Sequence, residues 1–260
     1  VIMPFLYESR QHKRSSRESL DCALALQKLV HLGVDNIITF DAHDPRVQNA
    51  IPLSGFETVR PTYQFVKGLL RTVKDLQIDS DHMMAISPDE GATERAVYLA
   101  NVLNLDMGMF YKRRDYTRIV NGRNPIVAHE FLGSSVEGKD VIILDDMISS
   151  GDSILDVARQ LKQRNAKRIY AAATFGLFTN GMEKFDRAYE EGIINGILTT
   201  NLIYQTPELL SRPYYINCDM SKYIALMIDT LNHDGSISSI LNPSARIQNV
   251  VEKYRRGEEI

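Results

Sequence analysis

Four short clusters of polar residues hold the chemistry this sequence could perform. The richest is the stretch 141–153, VIILDDMISSGDS. Four apolar residues lead into two adjacent carboxylates, Asp145 and Asp146. Ser149, Ser150, Gly151, Asp152 and Ser153 then precede a helical pattern. Backbone N–H groups in a tight turn at a helix N-terminus are unsatisfied donors in a favourable dipole, so such a loop can cradle a phosphate. Its serine hydroxyls would add hydrogen bonds, and paired acids could accept from vicinal sugar hydroxyls, directly or through Mg²⁺. The same residues also read as an ordinary helix N-cap with solvated acids at a strand end. The other clusters are Asp41–Asp44, Ser87–Gly91 and Lys112–Arg114. Three adjacent cations in the last of these repel one another unless an anion lies between them.

The elements that must position these clusters follow from hydrophobic periodicity. Helical spacing of apolar residues marks 19–32, 63–76, 93–103, 153–164 and 182–190. Short β-branched or apolar runs mark strands at 36–40, 82–86, 107–111, 141–144, 168–174 and 196–200, with residues 1–6 as an opening strand. Strands alternating with helices of this length predict right-handed crossovers and an α/β fold, with a mainly parallel sheet flanked by helices. Ligands of such sheets bind at the carboxyl ends of the strands, and all four clusters fall there. The polar stretch 115–133 reads as a mobile loop or exposed flap. The charged tail from 242 onward reads as either a short surface helix over 245–255 or a fraying end.

The chain has 260 residues, 44% hydrophobic and 24% charged, with a formal net charge of −3. That balance lacks the strong basic excess of nucleic-acid binders, so no nucleic-acid partner is expected. No apolar run reaches the roughly 18–20 residues that a membrane helix requires. Cys22 and Cys218 have no metal-ligand spacing, and they point to a reducing, cytoplasmic setting rather than a disulfide. The start, valine in the middle of an apparent strand, reads as an N-terminal truncation.

Taken together, the clusters resemble a known family. The loop 145–153 is similar to the phosphoribosyl-binding motif of type I phosphoribosyltransferase folds. The wider pattern resembles ribose-phosphate pyrophosphokinases: Arg10-Gln11-x-Lys13 followed by Arg17-Glu18, Asp41-Ala42-His43, Ser87-Pro88-Asp89-x-Gly91 before Arg95-Ala96, Lys112-Arg113-Arg114, and Asp145-Asp146-Met147. The resemblance implies transfer of the diphosphate of ATP to ribose 5-phosphate with Mg²⁺, feeding nucleotide biosynthesis. It implies Lys112 and Arg114 as catalytic cations and Arg10 and Gln11 as ATP contacts. His43 and Asp89 would be the metal-associated positions. Arg114, Asp145, Asp146, Ser149, Ser150, Gly151, Asp152 and Ser153 would bind ribose 5-phosphate, and 115–133 would be a lid. A solvated basic turn at residues 10–17, a satisfied turn histidine at His43 and a solvated strand end at 112–114 are the plainer readings of those residues.

The resemblance further implies two tandem similar halves. Residues 1–57 would be the end of an incomplete first half, 58–241 the second half and 242–260 the charged tail. It implies a homo-oligomer with its active site between subunits. The sequence departs from the family within the phosphate loop, where Ser149 replaces an acid and Asp152 replaces a glycine. A carboxylate beside a phosphate is repulsive unless it points outward. A non-catalytic regulatory homologue and a phosphoribosyltransferase are therefore the alternatives to the synthetase.

Overall fold

A computed structural model describes residues 1–14, 16–114 and 126–260, with the side chains of 112–114 and 126–129 also outside the described set. Two sheets organise the described residues. The smaller has the order β1 (Ile2–Met3), β2 (Asn36–Phe40), β3 (Gly55–Val59), all parallel, with α1 (Asp21–His31) and a 3₁₀ turn (Pro45–Ala50) between its strands.

The larger sheet has seven strands. In chain order its elements are α2 (Thr62–Thr72), β4 (Met83–Ser87), α3 (Thr93–Leu103), β5 (Asp106–Arg114), β6 (Ile126–Leu132), β7 (Asp140–Ile148), α4 (Asp152–Gln163), β8 (Arg168–Gly176), α5 (Glu183–Glu190), β9 (Gly196–Thr200), α6 (Pro207–Leu210) and β10 (Tyr215–Cys218). The spatial order is β10-β9-β8-β7-β4-β5-β6. Every pairing is parallel except β5 with β6, which is antiparallel. Three further helices, α7 (Ser221–Asn232), α8 (Ser238–Leu241) and α9 (Ser244–Arg255), complete the chain.

Both faces of the large sheet are covered, which explains why its central strands carry consecutive apolar residues, such as Val141 to Leu144 of β7, rather than alternating ones. Along β7, Val141 and Ile143 join the core formed with Leu155, Ala158 and Leu161 of α4. Ile142 and Leu144 join the opposite core, with Leu69 of α2, Leu99 of α3 and Ile247 of α9. A third core fastens the small sheet to the large one, packing Ile38, Phe40 and Val59 against Phe175, Met220 and Met227.

Several elements differ from the sequence expectation. The opening strand is reduced to Ile2 and Met3, with Val1 O also accepting from Ile38 N at 2.8 Å. The strand expected at 141–144 runs on to Ile148, so Asp145 and Asp146 lie within it rather than in the loop that follows. Part of the expected flap, Ile126–Leu132, is a strand paired with β5, while 115–125 lies outside the described residues. The boundary expected between 57 and 58 falls inside β3. Of the two forms considered for the tail, the helix is adopted. Ile247, Val250 and Val251 are buried, and the Tyr254 hydroxyl donates to Val73 O at 2.9 Å.

Candidate functional site

The loops after β2, β4 and β7 meet at one end of the two sheets, and a single buried cation ties two of them together. After β2 the chain turns at Asp41, whose φ of +39° lies in the left-handed region. Asp41 is buried; Oδ1 accepts from Arg95 Nε at 2.8 Å and Oδ2 accepts from Thr174 Oγ1 at 2.6 Å. Arg95, in the first turn of α3, also donates to Ala42 O at 3.1 Å and Gly91 O at 3.4 Å. The β2 and β4 loops are thus held against one guanidinium. Burial pushes the Asp41 carboxyl up, opposed by the Arg95 charge and the Thr174 hydroxyl.

The β7 acids face this cluster. Asp146 is buried and accepts from His43 Nδ1 at 2.9 Å across 103 positions of sequence. Burial works against the Asp146 carboxylate, but the His43 hydrogen bond and the Arg95 charge outweigh it and hold the group below its ordinary range. The Asp145 carboxyl is driven upward by burial and by the Asp146 charge, with Asp89 adding to the repulsion. Two adjacent carboxyls are thereby pushed apart, one towards neutral and one ionised. Asp89 shapes its own loop, since its Oδ1 accepts from Gly91 N at 3.0 Å. Among the described residues no group of three or more His, Cys, Asp or Glu is placed to hold a metal by itself.

The serine-rich turn at 149–153 follows β7. Gly151 has φ +83°, and a Cβ there would sit 2.1 Å from Phe185 Cζ, so glycine is required twice over. Asp152 is the first residue of α4 and its side chain is 67% exposed. It accepts from Ser150 Oγ at 2.8 Å and pairs with Lys184 Nζ at 2.6 Å. Gly151→Ala is expected to lose about 1–3 kcal/mol of stability through overpacking, with further strain from the positive φ. Urea unfolding measures this, and a wild-type midpoint would show that Phe185 yields freely.

Residues near the start complete a cleft of about 680 Å³ lined by His12, Lys13, Asp41, His43, Thr58 and Arg95, among others. His12 Nε2 lies 3.4 Å from Asp44 Oδ2, and its ring centroid is 5.2 Å from that of His43. Gln11 braces this segment by donating to Ser19 O at 3.0 Å, while Arg10 is exposed beside it.

A family model described as the phosphoribosyl synthetase-associated domain matches residues 116–242. A ribose-phosphate pyrophosphokinase of Vibrio parahaemolyticus is 28% identical over 247 residues, covering 93% of this chain and 73% of that protein. One from Mycoplasma pneumoniae is 27% identical, covering 92% and 70%. Over more than nine-tenths of its length the chain is similar to these ribose-phosphate pyrophosphokinases. A crystal structure of phosphoribosylpyrophosphate synthetase from Mycobacterium smegmatis has the same fold, with a TM-score of 0.74, 23% identity and coverage of 90% and 71%.

Within this fold, the structure brings His43 onto Asp146 and places Asp89 within electrostatic reach of Asp145. Lys112 and Arg114 are the last part of β5, and their side chains lie outside the described residues. Arg95, Thr174 and Lys184 have no role in the reading of the sequence. Arg95 stood inside a recognised motif, which was a usable signal. Nothing local could have flagged Thr174 or Lys184, because their partners are 133 and 32 positions away.

Proposed function

We propose that this chain transfers the diphosphate group of ATP to ribose 5-phosphate, giving 5-phosphoribosyl 1-diphosphate and AMP for nucleotide biosynthesis. The observation that carries the reading is the meeting of the β2, β4 and β7 loops, with His43 on Asp146 and Arg95 joining Asp41 to Gly91. Backbone N–H groups of Ser149–Ser153 hold the 5-phosphate, and Asp145 and Asp146 accept from the ribose hydroxyls. The anomeric hydroxyl attacks the β-phosphorus and gives its proton to solvent, while the bond from that phosphorus to the α,β-bridging oxygen breaks and AMP leaves carrying the oxygen. Lys112 and Arg114, at the carboxyl end of β5, offset the charge that spreads over the transferring oxygens. Arg10 and Gln11 contact ATP from the loop beside the cleft.

The donors present suit Mg²⁺, a hard cation that takes one or two carboxylates and completes its shell with water and phosphate oxygens. Asp89 and His43 would hold it at the mouth of the cleft, where the mutual repulsion of Asp89, Asp145 and Asp146 calls for a cation. When bound, it would supply charge neutralisation at the phosphates.

The three-stranded sheet is read as the end of a first half and the seven-stranded sheet as the second. A homo-oligomer with active sites between subunits is the assembly this reading carries, and sizing chromatography tests it. A cytoplasmic setting is supported by Cys22 and Cys218, both buried free thiols. Among the described residues no helix is long and apolar enough to cross a membrane. The decisive assay supplies ATP, Mg²⁺ and ribose 5-phosphate and measures AMP. AMP release that depends on the sugar phosphate is expected; none across a range of phosphate and magnesium concentrations would overturn the reading.

A further inference from the structure

The carboxylate that replaces glycine in the phosphate loop does not stand alone. One oxygen of Asp152 accepts from Lys184 Nζ at 2.6 Å and the other accepts from Ser150 Oγ at 2.8 Å. A carboxylate and a phosphate present paired oxygens at similar spacing, so the donors gathered on Asp152 are those a phosphate would use. Lys184 carries no second carboxylate among the described residues, and its side chain is 24% exposed, held back against the loop rather than extended into solvent.

The neighbouring side chain explains why Lys184 stays there. Phe185 is fully buried and fills the space over Gly151 that a Cβ would need. Phe178 packs edge-on against it with centroids 5.3 Å apart. The segment before α5 is stitched to the loop by Leu177 N donating to Ile148 O at 2.8 Å and Thr179 N donating to Ser149 O at 3.1 Å. The first turn of α5 is therefore fixed on the phosphate loop, with Lys184 one residue from the anchoring ring.

We propose that Lys184 is a binding residue for the 5-phosphate of the sugar, and that Asp152 is its placeholder in the free chain. This rests on the ribose 5-phosphate reading above. When the phosphate enters, Lys184 and Ser150 pass from the Asp152 carboxylate to phosphate oxygens, and Asp152 turns to the solvent it already faces. The chain thus supplies a cation from α5 to offset the acid that its loop carries. The placeholder competes with the substrate, so it weakens binding while keeping the loop ordered.

A double-mutant cycle on the 260-residue chain, read by calorimetric titration with ribose 5-phosphate, tests this. Lys184→Met is expected to weaken binding about tenfold, the size of a lost charge-assisted hydrogen bond, while Lys184→Arg keeps it. Asp152→Gly is expected to tighten binding several-fold, with Asp152→Asn shifting in the same direction. The deciding arm is Lys184→Met placed in the Asp152→Gly background. If Lys184 only neutralises Asp152, its loss there is silent, and that result overturns the proposal. If it moves to the phosphate, the tenfold loss persists or grows. Titration with ribose, which lacks the phosphate, should show no effect of Lys184→Met; an equal effect would overturn the assignment. A wild-type chain that binds no ribose 5-phosphate overturns the proposed function and this inference together.

Discussion

Arg95→Ala is expected to lower folding stability by about 3–5 kcal/mol at neutral pH, the range for removing one partner of a buried ion pair. Arg95 is the cation paired with the Asp41 carboxylate, and both side chains are nearly inaccessible, at 11% and 5% exposure. Burial already pushes the Asp41 carboxyl above its ordinary value, with Arg95 opposing that rise. Without the guanidinium the group rises further. The folded chain then keeps a proton that the unfolded chain releases above about pH 4. A folded state that binds more protons than the unfolded one loses stability as pH rises. The deficit should therefore be small below about pH 4, where both states hold the proton, and grow towards neutral pH. Urea unfolding of wild type and Arg95→Ala across that range measures it, with Arg95→Met as the variant that keeps most of the apolar bulk. A deficit that does not change with pH would mean that Arg95 serves packing rather than Asp41. Activity should fall as well, because Ala42 O and Gly91 O lose the donor that holds the His43 and Asp89 loops together.

Lys112→Ala is expected to lower kcat by about 10²–10³-fold, the usual cost of removing one positioned donor from a developing charge. Lys112 lies in the terminal part of β5, paired in register with His129 of β6, so a two-stranded ribbon carries it beyond the body of the sheet. In diphosphoryl transfer the protein's contribution is positioning and charge, and a cation on that ribbon serves the transition state more than the bound substrate. The affinity for ribose 5-phosphate should then change little. Steady-state kinetics with a parallel calorimetric titration separates the two quantities. A rise in the dissociation constant with an unchanged kcat would contradict the role.

Both expectations began as residue types in a linear pattern, and they differ in how much of their basis that pattern contained. The alternation of apolar runs with helical spacing was enough to give the parallel α/β architecture, because each central strand must bury both faces and therefore declares itself locally. Asn36–Phe40, Thr93–Leu103 and Gly196–Thr200 are found where the periodicity places them. The clusters at Asp41–Asp44, Ser87–Gly91 and Asp145–Ser153 were equally legible, since loops at the carboxyl ends of strands carry polar residues that a core would reject. Gly55–Val59 and Ile126–Leu132 were not legible as strands, because their polar residues are tolerated only where a neighbouring strand supplies hydrogen bonds.

The paired acids show the division most clearly. Residue order alone is enough to place two carboxylates after a buried run and before a turn that glycine makes. Folding settles that they lie inside β7, that Asp146 meets His43, and that His43 and Arg95 hold its carboxyl below the ordinary range while Asp145 is pushed above it. It also decides that Asp152 faces Lys184 rather than standing alone. The reason is physical. Periodicity reports what each segment buries, whereas the partners of a buried charge are chosen when distant segments close on one another.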